Sequence, residues 1–351
     1  MNGIFVHGLG AVSPAGWGVP ALRAALERDV PLATSPLIRP GLEKLLQVRP
    51  VPPPTIRPAF LAHPRLRRAS PLAQHVVAAA LEALGEDAKR VQAGALRLGL
   101  IICTMAGSVA YSRRFYEEVL REPATASPLI FPETVFNAAA SHLAAYLGST
   151  EINYSLVGDD GTFLQGLALG AHWLAQGRVE ACVVVGAEEL DWIVADALRL
   201  FHRAGIHSAG AGALYLKPEV RSAECGMNSI ELAAITDPFL FTAKQTRAVA
   251  VRKMRAQLPP DADGAALCLG AQKIARVDAV ELTAWADWTG PRLAPKPILG
   301  DAFAASAAWQ CVAACDAVQT AKCSAVNVSV VGANQQAIGA RFVKPHSFLQ
   351  P

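Results

Sequence analysis

Charge is scarce in this 351-residue chain: Asp, Glu, Lys and Arg together make up 17% of it, against roughly a quarter of a typical soluble domain. Apolar residues make up 52%, so much surface must be hidden in a large core, a subunit interface or both. The formal net charge of +3 is too small to point to nucleic acid or a membrane surface. No apolar run reaches the roughly 18 residues that a spanning helix needs. Met1 to Gly8 has neither the basic start nor the apolar length of a signal peptide, and a cytoplasmic location is expected. A disulfide framework is absent too. The seven cysteines are odd in number and sit in apolar contexts, as at Cys182 and Cys268, which suits reduced thiols. Cys311 and Cys315 share a helical face, with Cys323 following. No histidine lies near them in sequence, so they read as small packing residues and no metal site or cofactor is expected.

What is present is an alternation of apolar strands and Ala-rich helices, which argues for an α/β fold of layered helices and sheets. Strands are expected at residues 3–7, 98–103, 152–156, 181–185, 211–216, 229–235 and 325–331. Helices are expected over 19–27, from Ser70 as N-cap to Leu84 with Gly85 as stop, from near Glu133 to Gly148, and over 161–175. Five prolines between Val48 and Pro58 exclude a regular helix and predict an extended surface loop there. No internal repeat is visible in the sequence.

One segment singles itself out: Asp159-Asp160-Gly161-Thr162, between an apolar strand and a long apolar helix, followed by the strand that closes on Gly186-Ala187-Glu188. This layout resembles the nucleophile region of β-ketoacyl synthases, in the thiolase-like superfamily of condensing enzymes. Other pieces fall in the family's order. They are Gly8-Leu9-Gly10-Ala11-Val12-Ser13-Pro14, the block with Arg65, Arg68 and Ser70, Phe131-Pro132 with Asn137, and Ala211-Gly212-Ala213. Near the end come Lys296-Pro297-Ile298-Leu299-Gly300-Asp301 and Val331-Gly332-Ala333-Asn334. The resemblance covers most of the chain. It implies a thiolase-like α-β-α-β-α fold made of two similar halves, with a boundary between residues 1–220 and 221–351.

The same resemblance places the family's acyl-carrying cysteine at position 160, where this chain has Asp160. The later histidine falls at Asp301, while its lysine partner survives as Lys296. The other histidine aligns loosely with residues 284–290, Ala-Trp-Ala-Asp-Trp-Thr-Gly, which contain none. Condensation needs a thiolate, favoured at a helix N-terminus, and two histidines to stabilise the enolate. With all three replaced, condensing activity is not expected. Asp160 reads first as an N-cap of the following helix, a role that Asp159 could serve equally. The sharper alternative makes Asp160 and Asp301 a carboxylate pair, and Lys296 beside Asp301 can equally form a buried ion pair.

Among the remaining candidates, His7 is expected to be a hydrogen-bonded core histidine. His202 and His207 belong to a solvent-exposed loop edging the pocket, and Glu188 has a structural role. Arg65, Arg67, Arg68, Arg113 and Arg114 are a solvated face or a contact for an acidic carrier protein. The resemblance leads to a non-catalytic, chain-length-factor-type subunit of type II polyketide or fatty acid synthesis. It would pair with an active ketosynthase through the strand about 152–156 and meet an acyl carrier protein. The alternatives are an acyl-thioester enzyme (thioesterase, decarboxylase or acyl transferase) using Asp160 and Asp301, and a homodimer that binds an acyl ligand or carrier protein.

Overall fold

The computed structural model describes residues 3–201, 203–218, 230–260 and 264–345. Ten strands form the spine of one mixed sheet. Five come from the first part of the chain: β1 (Ile4–Ser13), β2 (Leu98–Thr104), β3 (Asn153–Val157), β4 (Ala181–Glu188) and β5 (Gly210–Pro218). Five follow: β6 (Ile230–Ile235), β7 (Ala265–Cys268), β8 (Arg292–Leu293), β9 (Ala325–Val331) and β10 (Gln336–Val343). Their order across the sheet is β8-β7-β9-β10-β6-β1-β5-β4-β2-β3.

Counted from the start of each half, that order is 3-2-4-5-1 twice, running outward in opposite directions. In both halves the third, second and fourth strands are parallel, and the fifth lies antiparallel to both its neighbours. The halves join where β1 pairs antiparallel with β6, Phe5 lying opposite Glu231. Two similar halves are thus fused edge to edge, although no repeat shows in the sequence. The expected boundary at 220/221 and the strand residue Ser229 lie outside the described residues.

Helices cover the sheet: α1 (Pro71–Leu84), α2 (Val109–Arg121), α3 (Ala138–Leu147), α4 (Thr162–Ala175), α5 (Trp192–Phe201), α6 (Arg247–Ala256), α7 (Ala275–Ala284) and α8 (Phe303–Gln319). Strands β2 and β4 are buried along their whole length. That explains why they read as unbroken apolar runs rather than alternating ones. Helices α4 and α8 are equivalent, each following the third strand of its half. Phe163 and Leu167 of α4 and Ala304 and Ala308 of α8 share one core. Alanine dominates α8 because this helix is buried on nearly all sides and leaves little room for larger side chains. Cys311 and Cys315 lie within it, fully buried, with burial raising both thiols.

Most expected elements are present within a few residues. Ser70 caps α1 by accepting from the Ala73 amide at 3.2 Å. The helix expected from Glu133 begins later: residues 131–133 make a single tight turn and α3 starts at Ala138. Pro132 suits the first turn of a helix, but that turn is not continued. Among the elements that went unexpected are α2, α5, β10 and a hairpin of Ser35–Arg39 with Leu42–Arg49. The hairpin takes the first two residues of the proline-rich stretch into a strand. His7 is exposed at a bulge in β1, between Val6 and Gly8, rather than in the core. The bulge breaks the alternation that would have turned it inward.

Candidate functional site

The equivalence of α4 and α8 builds the site. Asp160 stands two residues before α4, and Asp301 two residues before α8. Both carboxylates therefore sit at helix N-termini, where the aligned peptide dipoles favour negative charge. Lys296 comes from a helical turn, Lys296–Leu299, that Gly300 ends at φ 93. A side chain at Gly300 would strike the Ile206 carbonyl at 2.9 Å, so glycine lets the chain turn tightly enough to bring Asp301 back beside Lys296.

The structure brings together all three residues expected from the sequence. The Lys296 ammonium donates to Asp160 Oδ2 and lies 3.1 Å from Asp301 Oδ1, and no side chain of the three is more than 4% exposed. Burial pushes the Asp160 carboxyl up to about 6; Lys296 opposes the rise and Asp301 adds to it. Burial works against the Lys296 charge, but the two carboxylates outweigh it and the ammonium is held above its ordinary value. Gln272 Nε2 donates to Asp301 Oδ2 at 2.9 Å, and the Phe303 amide to Asp301 Oδ1 at 3.2 Å. Sequence reasoning missed Gln272, because nothing local sets that glutamine apart.

The N-cap reading of Asp160 does not hold. Its side chain is spent on Lys296, and the residue flanking α4, Gly161, has no side-chain cap. Asp159 instead accepts from the Gly161 amide at 3.2 Å, the Gln335 amide at 2.9 Å and Gln336 Nε2 at 3.4 Å. It thereby ties the β9–β10 turn to the start of α4. Gly332 in that turn is required by contact: a Cβ there would lie 1.9 Å from Asp159 Oδ2.

Other expectations are redistributed. Residues 284–290 do not reach the site; Trp285 and Trp288 pack edge to face in a separate core, where aromatic burial fixes them. His207 is buried rather than exposed, its Nδ1 3.0 Å from the Asp301 carbonyl oxygen. His202 lies outside the described residues. Glu188 has the structural role expected, accepting from the Met105 and Ala106 amides at 2.5 and 3.2 Å and from the Thr104 hydroxyl at 3.2 Å. Burial raises it to about 8, against the pull of those donors. Arg113 is paired with Asp191 and Glu117, and Arg114 with Glu118; Arg65, Arg67 and Arg68 are exposed.

A cleft of about 800 Å³ opens above Asp160, Lys296 and Asp301. Among the described residues lining it there is no cysteine and no histidine, and so neither the thiolate nor the imidazoles that condensation requires.

No family model and no curated protein matches this sequence. Solved structures do. A chain of the ishigamide ketosynthase/chain length factor superposes with a TM-score of 0.76 at 20% identity, over 97% of this chain and 99% of that one. A chain of the AntDE:AntF complex, a type II polyketide synthase acyl-carrier protein with its hexaketide-bound ketosynthase, gives 0.79 at 16% identity, over 98% and 100%. A β-ketoacyl synthase from Burkholderia phymatum STM815 gives 0.79 at 16% identity, over 99% and 100%. The chain therefore has the thiolase-like ketosynthase fold that the motif order pointed to.

Proposed function

We propose that this chain is a ketosynthase-fold subunit that does not itself condense acyl groups. It pairs with a second chain of the same fold that carries the nucleophilic cysteine, as chain-length factors do in type II polyketide or fatty acid synthesis. The observation that carries this reading is the ion pair between Asp160 and Lys296. A carboxylate at the nucleophile position cannot form a thioester, and here it is held in a buried salt bridge at the base of the cleft. An acyl carrier protein is the expected visitor to the assembled pair.

The pairing surface proposed is the free edge of β3, which ends the sheet. Tyr154 and Val157 on this strand are 48% and 52% exposed, and nearby in sequence Leu129, Phe131 and Phe136 are exposed as well. The Asn153 Oδ1 and Ser155 Oγ atoms are shielded from solvent yet find no hydrogen-bond partner among the described residues. An apolar edge strand with unmatched polar atoms is what strand addition from a partner would cover. No helix among the described residues is long and apolar enough to cross a membrane.

Native mass spectrometry of the chain purified from its own host tests the reading. A 1:1 complex with a cysteine-bearing ketosynthase is expected. A homodimer alone would overturn it in favour of a self-paired acyl or carrier-protein binding module. One observation favours a second reading: the raised carboxyl of Asp160 faces an open cleft, a setting that can hold a proton for hydrolysis or decarboxylation of an acyl thioester. Turnover of an acyl thioester that Asp160→Ala abolishes would establish this enzyme instead of the scaffold.

A further inference from the structure

A second concavity lies apart from the cleft and shares no lining residue with it. It forms where the helix Val19–Arg28 packs beside the last turns of α8, next to the edge strand β8. Val19, Leu22 and Leu26 stand at i, i+3 and i+7 and make one apolar stripe of that helix. With Ala313 and Ala317 of α8 and Leu293 of β8 they enclose a space of about 200 Å³.

The sequence of α8 accounts for the gap. Ala304, Ala305, Ala307, Ala308 and Ala314 are completely buried, whereas Ala313 and Ala317 keep 6% and 7% of their surface. Those two are four residues apart on one face of the helix, and that face meets the cavity. Elsewhere along α8 neighbouring side chains fill the room that an alanine leaves. Here no described residue does, and the walls forgo the dispersion contacts of a packed interior.

Four charged side chains border the cavity, and they neutralise one another. Arg23 Nε donates to Asp316 Oδ2 at 2.8 Å, and Lys322 pairs with Glu27. Glu27 and Lys322 are half-exposed and mark the mouth. Both pairs tie the helix Val19–Arg28 to the end of α8 and so hold the walls in place. With two cations matched by two carboxylates, the lining offers no free charge to an ion. An inserted peptide segment would bury its N–H and C=O groups against an apolar wall. Both arguments select a small uncharged molecule. An apolar cavity of about 150 Å³ stays dry and takes up benzene, so one of about 200 Å³ has room for one ring or two fused rings. We propose that this cavity is a binding site for a small, uncharged, apolar molecule of one or two rings. The site is complete within one chain and does not depend on pairing through β3.

Isothermal titration of the purified full-length chain with indole, benzene and benzoate tests this. Indole and benzene are expected to bind 1:1 with affinities that salt does not change, and charged benzoate about tenfold more weakly or less. Ala317→Leu fills the cavity from its wall and should weaken indole about tenfold or more, with a melting temperature equal to the parent's or higher. Leu26→Gln, at a half-buried position, is an independent variant that puts an amide into the opposite wall and should weaken indole as well. Absence of saturable indole and benzene binding overturns the proposal, and so does an indole affinity that survives both substitutions, because the ligand then sits elsewhere. Benzoate binding as tightly as benzene overturns the uncharged character of the ligand. Self-association that Ala317→Leu removes, with no indole bound, makes the cavity a socket for another chain's side chain and overturns the proposal as well.

Discussion

Replacing Lys296 by methionine tests the electrostatic account of the site most directly. Methionine preserves much of the length of the side chain and removes the charge, leaving the buried Asp160 and Asp301 carboxylates facing each other without a cation. Removing one partner from a buried ion pair costs about 3–5 kcal/mol, because the remaining charge has lost both water and counter-charge. Here the loss has an outlet: one of the two carboxyls can take up a proton, since like charges in a buried site raise one another's affinity for it. Burial already lifts Asp160 to about 6 with the ammonium present, and without the ammonium it must rise further. The loss in Lys296→Met should therefore be about 3–5 kcal/mol at pH 8 and clearly smaller at pH 5, read from urea unfolding of variant and parent at both values. A loss below about 1 kcal/mol at pH 8, or an equal loss at the two pH values, would refute this account of Lys296 as the counter-charge of two buried carboxylates.

Asp160→Asn should behave in the opposite way. The folded chain holds the Asp160 proton more tightly than the unfolded one, so its contribution is fully present below about 3.8 and is lost as pH rises through about 6. Asparagine does not titrate, and the variant should gain on the parent by up to about 3 kcal/mol between pH 4 and pH 7, measured by denaturant titration. Asp159→Ala removes the acceptor for three donors and should cost about 1–3 kcal/mol in a thermal melt analysed at constant pH. Gly332→Ala should destabilise the parent and do so much less in the Asp159→Ala background, because the atom it strikes is gone. Finally, Tyr154→Arg with Val157→Glu on the free edge of β3 should abolish pairing in native mass spectrometry while the monomer keeps its melting temperature.

The sequence by itself determined the strand and helix alternation, because buried parallel strands such as β2 and β4 must be continuously apolar and Gly85 must stop α1. It also carries the proposed loss of condensing chemistry, since neither Asp160 nor Asp301 supplies a thiol or an imidazole. It pointed as well to Asp160, Lys296 and Asp301 as site residues, through the order of motifs spread over most of the chain. Only the tertiary structure decided how they meet. The duplicated 3-2-4-5-1 strand order makes α4 and α8 equivalent, and that equivalence brings two aspartates, each two residues before a helix, to one lysine. A repeat expressed in strand order and direction leaves no trace in side chains, because many apolar sequences satisfy the same topology. The N-cap assigned to Asp160 failed for the same kind of reason: local propensity favoured it, and a lysine 136 residues away competed for the carboxylate and won. The arginines of the cleft escaped notice because Arg199, Arg203, Arg247 and Arg276 are scattered along the chain and meet at one concave surface only in the folded structure.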